Sequence, residues 1–595
     1  MHSPQSYGQY RVRILRDLAH ALLLPTALLW STLRLLDVRV GWILAPAVYL
    51  ASIVLWATLY NVYRERVHAR TAEELGAQRV RQVVGRWPGN IDVLLRMMGA
   101  FKTSYVLDVY RELFEEYQCT TLNLRILWRD NIITMDQQHS KFVLATGFGN
   151  FWRGYVQKER METFLGQGIF NRDDEVWKMH RNMARPFFAR ERISDFDIFE
   201  THSKRALNVI SSLTTAGQPC EAQDLFSRLT LDAASEFLFG RNLDTLSSAL
   251  PIPGQTGMGP KGSATHDSWG EFAQAFEMSQ LIATQRGRIG HLWPLFELFK
   301  DKNAANAAVI QAWLDPLVQQ AVEDKRRLAG INSPVADKTF LQHLADSTDD
   351  TSLIRDQLLN ILLASRDTTA CLLTFVTYFM AIYPDVAKKL RAEVLEHCGP
   401  QQSPTYQNVR EMKYMRAVIN EVLRLFPPVP LNVRESRAEA CTLPVSDPTF
   451  PADDTRPYYM PGSTTLMYLP LLMQRNPALW GPDADVFDPE RWLDSARLAR
   501  FVGNPTMYAP FSAGPRICLG QNYAYNEASY ILIRLLQEFD TFSLAPDVQP
   551  PASLPLPEWK QRPGRQAVER IWPAAAMTLY VKGGLWVRFG RASAA

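Results

Sequence analysis

The stretch FSAGPRICLG, Phe511 to Gly520, sets one cysteine among two glycines and an arginine, close to the C-terminal end of the chain. A structural zinc site needs further sulfur or histidine ligands at short spacing, and none stands near Cys518. A disulfide needs a partner and an oxidising compartment. The other cysteines, Cys119, Cys220, Cys371, Cys398 and Cys441, are scattered without a CxxC pair. The local chemistry therefore asks for a single sulfur, and the scatter fits a reducing compartment.

The rest of the chain sets the scale. It has 595 residues, 47% of them hydrophobic, which is ample for a large core. The formal charge of +3 comes from charges of both signs spread along the sequence, with no nucleic-acid-binding footprint. Near the N-terminus, VGWILAPAVYLASIVLWATLY, Val40 to Tyr60, carries no charge. As a helix it would run roughly 31 Å, about the hydrocarbon thickness of a bilayer. Trp42, Trp56 and Tyr60 lie toward its ends, where amphipathic rings prefer the interface. The basic run RERVHAR follows and favours a cytosolic C-terminal side. An earlier apolar stretch, Leu18 to Leu36, contains His20, Pro25 and Arg34, and reads as a second span or as a helix lying in the interface.

After Arg70 apolar residues recur at three- and four-residue spacing, so the chain reads as mostly helical with short strand-like runs. Ser248 to Trp269 is rich in Gly, Pro and Ser and reads as a surface loop, and SPVADK from Ser333 as another connection. Thr351 to Tyr383 is the longest helical segment, apolar nearly all round, so it should run through a core. Arg366 and Asp367 at its centre argue against a membrane span, since each would cost ~2.5–3.5 kcal/mol there. Ala576 to Phe589 reads as a hairpin turning at Gly583 and Gly584.

A lone thiolate can serve as the axial ligand of haem iron. Such a sulfur needs backbone N–H donors aimed at it and close approach of a large flat ring. Gly514 and Gly520 allow both, Phe511 can pack on the sulfur loop, and Arg516 can meet a haem propionate. Phe-x-x-Gly-x-Arg-x-Cys-x-Gly is the haem-binding signature of the cytochrome P-450 monooxygenases, and this chain resembles that family at every fixed position of it. Further elements follow the family's pattern. EVLR gives Glu421 and Arg424, three apart on one helix face, and FDPERW gives Pro489, Glu490 and Arg491. By resemblance Glu421, Arg424 and Arg491 form a buried structural network behind the haem. DDEVWKMHRNMARPFF supplies Trp177 and Arg181, which in the family contact a propionate; Arg434 in NVRES is a further propionate candidate. ASRDTT, Ala364 to Thr369, is similar to the family's oxygen-binding stretch, with Asp367 and Thr368 as the acid–alcohol pair that relays protons from water. The chain departs from the family at Ser365, where glycine is usual.

The resemblance covers roughly residues 86–588, with texture like that of fungal membrane-bound members related to alkane and fatty-acid hydroxylases. It implies a mainly α fold with small β-sheets, the cytochrome P-450 fold, behind a transmembrane anchor. The expected division is residues 1–66 as anchor and 67–595 as catalytic domain. It implies haem b held by Cys518, and electrons from NADPH through a separate NADPH–cytochrome P-450 reductase in the same membrane, with cytochrome b5 as a second donor. No flavin or nicotinamide fingerprint appears in the sequence. Lys178, Arg181 and Arg185 are the candidates for the docking face. The expected place is the endoplasmic reticulum membrane with the catalytic domain on its cytosolic face. The expected substrate is hydrophobic, a fatty acid or alkane in the first instance. Two rivals use the same sulfur: a haem-thiolate peroxygenase or isomerase, and a non-catalytic haem sensor. The acid–alcohol pair argues against both.

Overall fold

In the computed structural model the long apolar segment is one helix, Thr351–Ile382. The Asp350 side chain caps it by accepting from the Leu353 N–H at 3.0 Å. It stops where Tyr383 precedes Pro384, a position that disfavours helical backbone. Most of its length is buried, so a helix apolar enough to cross a membrane is instead the centre of a core. Residues 9–189, 196–254, 268–327, 338–446, 450 and 455–592 are described. The connection from Ser333 to 337 and positions 255–267 of the expected surface loop lie outside them; Ser268 already begins a helix.

The chain groups into two compact units. The larger comprises residues 163–284, 303–432 and 470–595. Here the long helix packs along Ala222–Phe239, Lys413–Leu425 and Gln521–Glu538. Stacked rings knit this core: Phe375 on Phe426 at 4.3 Å and Phe379 on Phe487 at 4.0 Å between centroids.

The smaller unit comprises residues 1–162, 285–302 and 433–469. Its main sheet has five strands in the order Thr121–Asn123, Asn131–Thr134, Thr465–Tyr468, Asn432–Ser436, Phe151–Trp152. The second apolar stretch at the N-terminus is helical from Ala45 to Glu74, starting later and running further than the uncharged segment, because Pro46 suits a first turn and the charged run beyond Tyr60 is itself a good helix former. The first is helical from Tyr10 to Leu35. Both helical runs are long and apolar enough to cross a membrane, and almost nothing of either is buried.

The expected hairpin over Ala576–Phe589 is not formed. Gly583 and Gly584 do turn the chain, with φ of 76° and 81°. The strands on either side join different sheets: Leu579–Val581 pairs with Pro573–Ala575, and Trp586–Arg591 lies between Phe539–Leu544 and Cys220–Glu221. The Glu221 carboxylate sets this apart. It caps its own helix through the Gln223 and Asp224 N–H groups and also accepts the Leu585 N–H at 2.6 Å.

Candidate active site

The cysteine loop is folded by its own backbone. Ser512 and Gly514 take positive φ, the Ile517 N–H donates to the Gly514 carbonyl at 3.0 Å, and the Cys518 N–H donates to the Phe511 carbonyl at 3.0 Å. The Phe511 ring rests on Tyr525 at 5.2 Å, tying the loop to the helix that follows. Cys518 is the only exposed cysteine of the six. Surrounding protein nonetheless pushes its thiol pKa up, opposed by the Gly520 N–H and the Arg181 cation. The protein does not itself require glycine at 520, since an added Cβ would meet only Phe188 at 3.7 Å.

Trp177 and Arg181 lie one turn apart on Asp174–Ala184. Arg181 Nη1 donates to the Ile517 carbonyl at 2.9 Å, beside Cys518. The Arg516 guanidinium lies 4.4 Å from the Trp177 ring centre, and Arg181 lies 6.0 Å from it. Arg516 Nη2 donates to Asp173 Oδ1 at 2.7 Å and to the Arg172 carbonyl at 2.8 Å. Trp177, Arg181, Arg516 and Cys518 are thus brought together. Arg434 belongs to the other unit, where it is buried in a strand and donates to the Val433 carbonyl at 2.8 Å. Among the described residues no group of three or more His, Cys, Asp or Glu could hold a bare ion. One thiol with two guanidiniums and an indole at its rim fits a metal that brings its own equatorial ligands and peripheral carboxylates, as haem does.

In the long helix both hydroxyls bond back along the chain. Ser365 Oγ donates to the Ile361 carbonyl at 2.7 Å and Thr368 Oγ1 to the Ala364 carbonyl at 2.6 Å. Asp367 is buried beside Arg366, Oδ1 to Nη1 at 3.4 Å. Arg366 Nη2 in turn reaches Glu277 Oε1 at 3.2 Å. Glu277 is a partner the sequence did not disclose, because the pair is 89 positions apart.

Glu527, also unforeseen, sits on the helix after Cys518. It is fully buried, and neither carboxylate oxygen has a hydrogen-bond partner among the described residues; its polar neighbour is Thr369. Burial pushes its pKa from 4.5 up to about 8. The folded chain therefore holds this proton more tightly than the unfolded one. The resulting stability is full below pH 4.5 and is lost as pH rises toward 8, at about 1.4 kcal/mol per pH unit. Glu527→Gln is expected to flatten that decline, which thermal unfolding midpoints measured from pH 5 to 8 would reveal. An unchanged slope would mean that Glu527 is ionised in the fold.

Glu421, Arg424 and Arg491 lie together. Glu421 grips Arg424 in a fork, Oε2 to Nε and Oε1 to Nη2, both at 2.8 Å. The same carboxylate receives Arg491 Nε at 3.4 Å, the Trp492 indole N–H at 3.0 Å and the Asp488 N–H at 3.1 Å. Arg424 gives its remaining donors to the carbonyls of Gln474, Ala484 and Val486 at 2.6 to 3.1 Å. Glu421 and Arg424 are wholly buried.

A mainly helical core, an accessible sulfur between Arg181 and Arg516, and this buried network define a haem-thiolate protein. Residues 90–567 match the family model for Cytochrome P450, and the chain belongs to that family. It is 35% identical over 495 residues to cytochrome P450 52-E3 of Starmerella bombicola, covering 82% of this chain and 90% of that one. It is 36% identical over 470 residues to cytochrome P450 52E2 of Candida apicola, covering 78% and 86%. It is 34% identical over 499 residues to cytochrome P450 monooxygenase g430 of Fusarium sp, covering 82% and 84%. The protein is accordingly a haem-thiolate monooxygenase of hydrophobic substrates, with haem b as its cofactor.

Proposed function

We propose that this monooxygenase is anchored in the endoplasmic reticulum membrane and inserts one oxygen atom of dioxygen into an unactivated C–H bond of a fatty-acid or alkane chain. NADPH supplies the electrons through a separate reductase. The observation that carries the reading is Cys518, the one accessible sulfur, with Arg181, Arg516 and Trp177 gathered at its loop. Residues 1–66 are the anchor and 67–595 the catalytic domain. The exposed, apolar helical runs Tyr10–Leu35 and Ala45–Glu74 support the anchor, and the basic run after Tyr60 supports a cytosolic catalytic domain. Exposed Lys178 and Arg185 offer a basic face to the reductase, and to cytochrome b5 as a second donor.

Bound at this site, haem b supplies the iron at which dioxygen is activated. Cys518 would hold that iron, and the Gly520 N–H and the Arg181 cation favour its thiolate against the burial that raises the thiol's pKa. Trp177, Arg181 and Arg516 would take the propionates, and Phe511, Gly514 and Gly520 would shape the loop that lets a flat ring approach. Glu421, Arg424 and Arg491 fix the wall behind it. Thr368 and Asp367 move protons. Thr368 Oγ1 spends its hydrogen on Ala364 and keeps its lone pairs to accept from water. Asp367, steadied by Arg366, resupplies that water.

The test is turnover with purified reductase and NADPH, after a spin-state screen across alkanes, fatty acids, terpenes and steroids. Product formed from peroxide alone, with none from NADPH, would move the assignment to a peroxygenase. Thr368→Ala is expected to keep haem and substrate binding but to release hydrogen peroxide in place of product. The loss should fall near the low end of the ~10²–10⁴-fold that acid–base groups contribute, because water partly replaces a hydroxyl. The measurement is NADPH consumed against product and peroxide formed, and unchanged coupling would remove Thr368 from the relay.

A further inference from the structure

The smaller unit holds a group of cations that the reaction does not use. Arg129 lies between strands Thr121–Asn123 and Asn131–Thr134, Arg160 in helix Tyr155–Leu165, His291 in the short helical stretch Gly290–Glu297, and Arg13 on helix Gln9–Leu18. They stand close enough to act on one another: Arg129, Arg13 and Arg160 all bear on His291, and Arg129 and Arg13 on Arg160.

The carboxylates nearby make their close contacts with other groups: Asp17 lies 3.5 Å from Arg13 and 3.8 Å from Arg16, and it and Glu435 reach Arg129 only through the field. Glu159 holds Arg13 in a fork, with Nε at 3.0 and 2.9 Å and Nη2 at 2.6 Å. Glu435 is buried against the backbone N–H groups of Val156 and Tyr155, and burial raises its pKa even with Arg129 near. Arg286, which donates to the Arg160 carbonyl at 3.0 Å, has Glu297 and Asp301 for itself. Among the described residues no carboxylate stands within ion-pair distance of Arg129 or Arg160, and Arg160 Nε is buried with no hydrogen bond. The strain registers electrostatically. Burial and the neighbouring cations push Arg160 down to about 10 and His291 down to about 3. Arginine stays charged at neutral pH. Two partly buried guanidiniums therefore lack an anion in direct contact, with Glu435, Glu159 and Asp17 acting on them only from a distance, and His291, kept neutral, adds one N–H donor rather than a third charge.

The surroundings say what carries that anion. Arg13 lies within the helical run Tyr10–Leu35 that is apolar enough to cross a membrane. On that helix Val12 and Leu15 are exposed. Close after His291, Phe296 is 62% exposed and Phe299 95%. Outward apolar side chains beside unpaired guanidiniums suit the boundary between lipid tails and headgroups.

We propose that Arg129 and Arg160, with Arg13 and His291, form a binding site for the oxyanion head of an amphiphile, a phosphate or carboxylate carried on an apolar tail. Guanidinium forks match either group in bidentate geometry. The site stands on the smaller unit alone and does not depend on the role given to Cys518.

The test uses the full-length holoprotein in a non-ionic detergent. The probes are dioctanoyl phosphatidic acid, dodecanoate, inorganic phosphate and zwitterionic dioctanoyl phosphatidylcholine, with binding read by titration and by the thermal unfolding midpoint. At least one of the two anionic amphiphiles is expected to bind, and Arg129→Gln and Arg160→Gln are each expected to weaken it tenfold or more, with Arg160→Lys restoring part of the loss. Without any probe Arg160→Gln is expected to unfold no lower than the parent, because it removes an unpaired charge; this guards against misfolding as the cause. Tight binding of phosphatidic acid assigns the site to membrane lipid, and of dodecanoate to a free acid. The proposal is overturned if phosphate or phosphatidylcholine binds as tightly as the anionic amphiphiles, if neither amphiphile binds, or if the glutamine variants bind both as well as the parent.

Discussion

Replacing Cys518 with serine is expected to remove the thiolate signature from the reduced, carbon-monoxide-bound absorption spectrum and to take NADPH-dependent turnover to background. A serine hydroxyl is a hard and weakly acidic donor, and at neutral pH it offers iron no anion comparable to a thiolate. The surrounding loop should survive. Its hydrogen bonds from Cys518 N to Phe511 O and from Ile517 N to Gly514 O are made by backbone, which the substitution leaves in place. Folding and function are therefore separable here. Near-wild-type thermal unfolding of the haem-free chain is expected together with a lost spectrum, and a normal thiolate spectrum from the serine variant would end the assignment of Cys518.

The largest effect on folding is expected from Glu421→Ala. This carboxylate is the shared acceptor for Arg424, Arg491, Trp492 and the Asp488 N–H. Removing it leaves the Arg424 guanidinium in the core with no anion. Breaking a buried pair costs about 3–5 kcal/mol, a large part of the ~5–15 kcal/mol by which folded domains are stable. Holoprotein yield should collapse. Asp483→Asn makes the contrast. Asp483 also pairs with Arg491, Oδ2 to Nη2 at 3.0 Å, but its side chain is about a third exposed. Solvent and Glu421 both remain to Arg491, so the expected loss is about 1 kcal/mol or less. Urea unfolding midpoints of the two variants would rank them, and equal midpoints would show that the network is not the brace its geometry describes.

The parts of the site visible in the sequence were those fixed by short spacing. Glu421 and Arg424 are one helical turn apart, Trp177 and Arg181 likewise, and the cysteine loop is a single run from Phe511 to Gly520. Each pattern is local, so one segment contains the whole signal. Glu277 and Glu527 were not visible because their meaning is set by distant partners. Glu527 looks like a stray acid in an apolar helix until Thr369 is placed beside it. The failed hairpin at Gly583–Gly584 has the same cause. The glycines correctly announce a turn, but which strands pair across it was decided by Glu221 and Cys220, far earlier in the chain.

That late strand also bears on how the protein is made. The Leu585 N–H that Glu221 receives comes from a residue 364 positions downstream. At ribosomal rates of ~5–20 residues per second, the nascent chain holds the Cys220–Glu221 edge open for roughly 20–70 s before its partner is synthesised. Through that interval the helix beginning at Ala222 is already translated while a buried carboxylate and an unpaired strand edge wait beside it. Chaperones that shield strand edges should therefore associate with this chain most strongly while its middle third is emerging, and leave only after Trp586–Arg591 has cleared the exit tunnel.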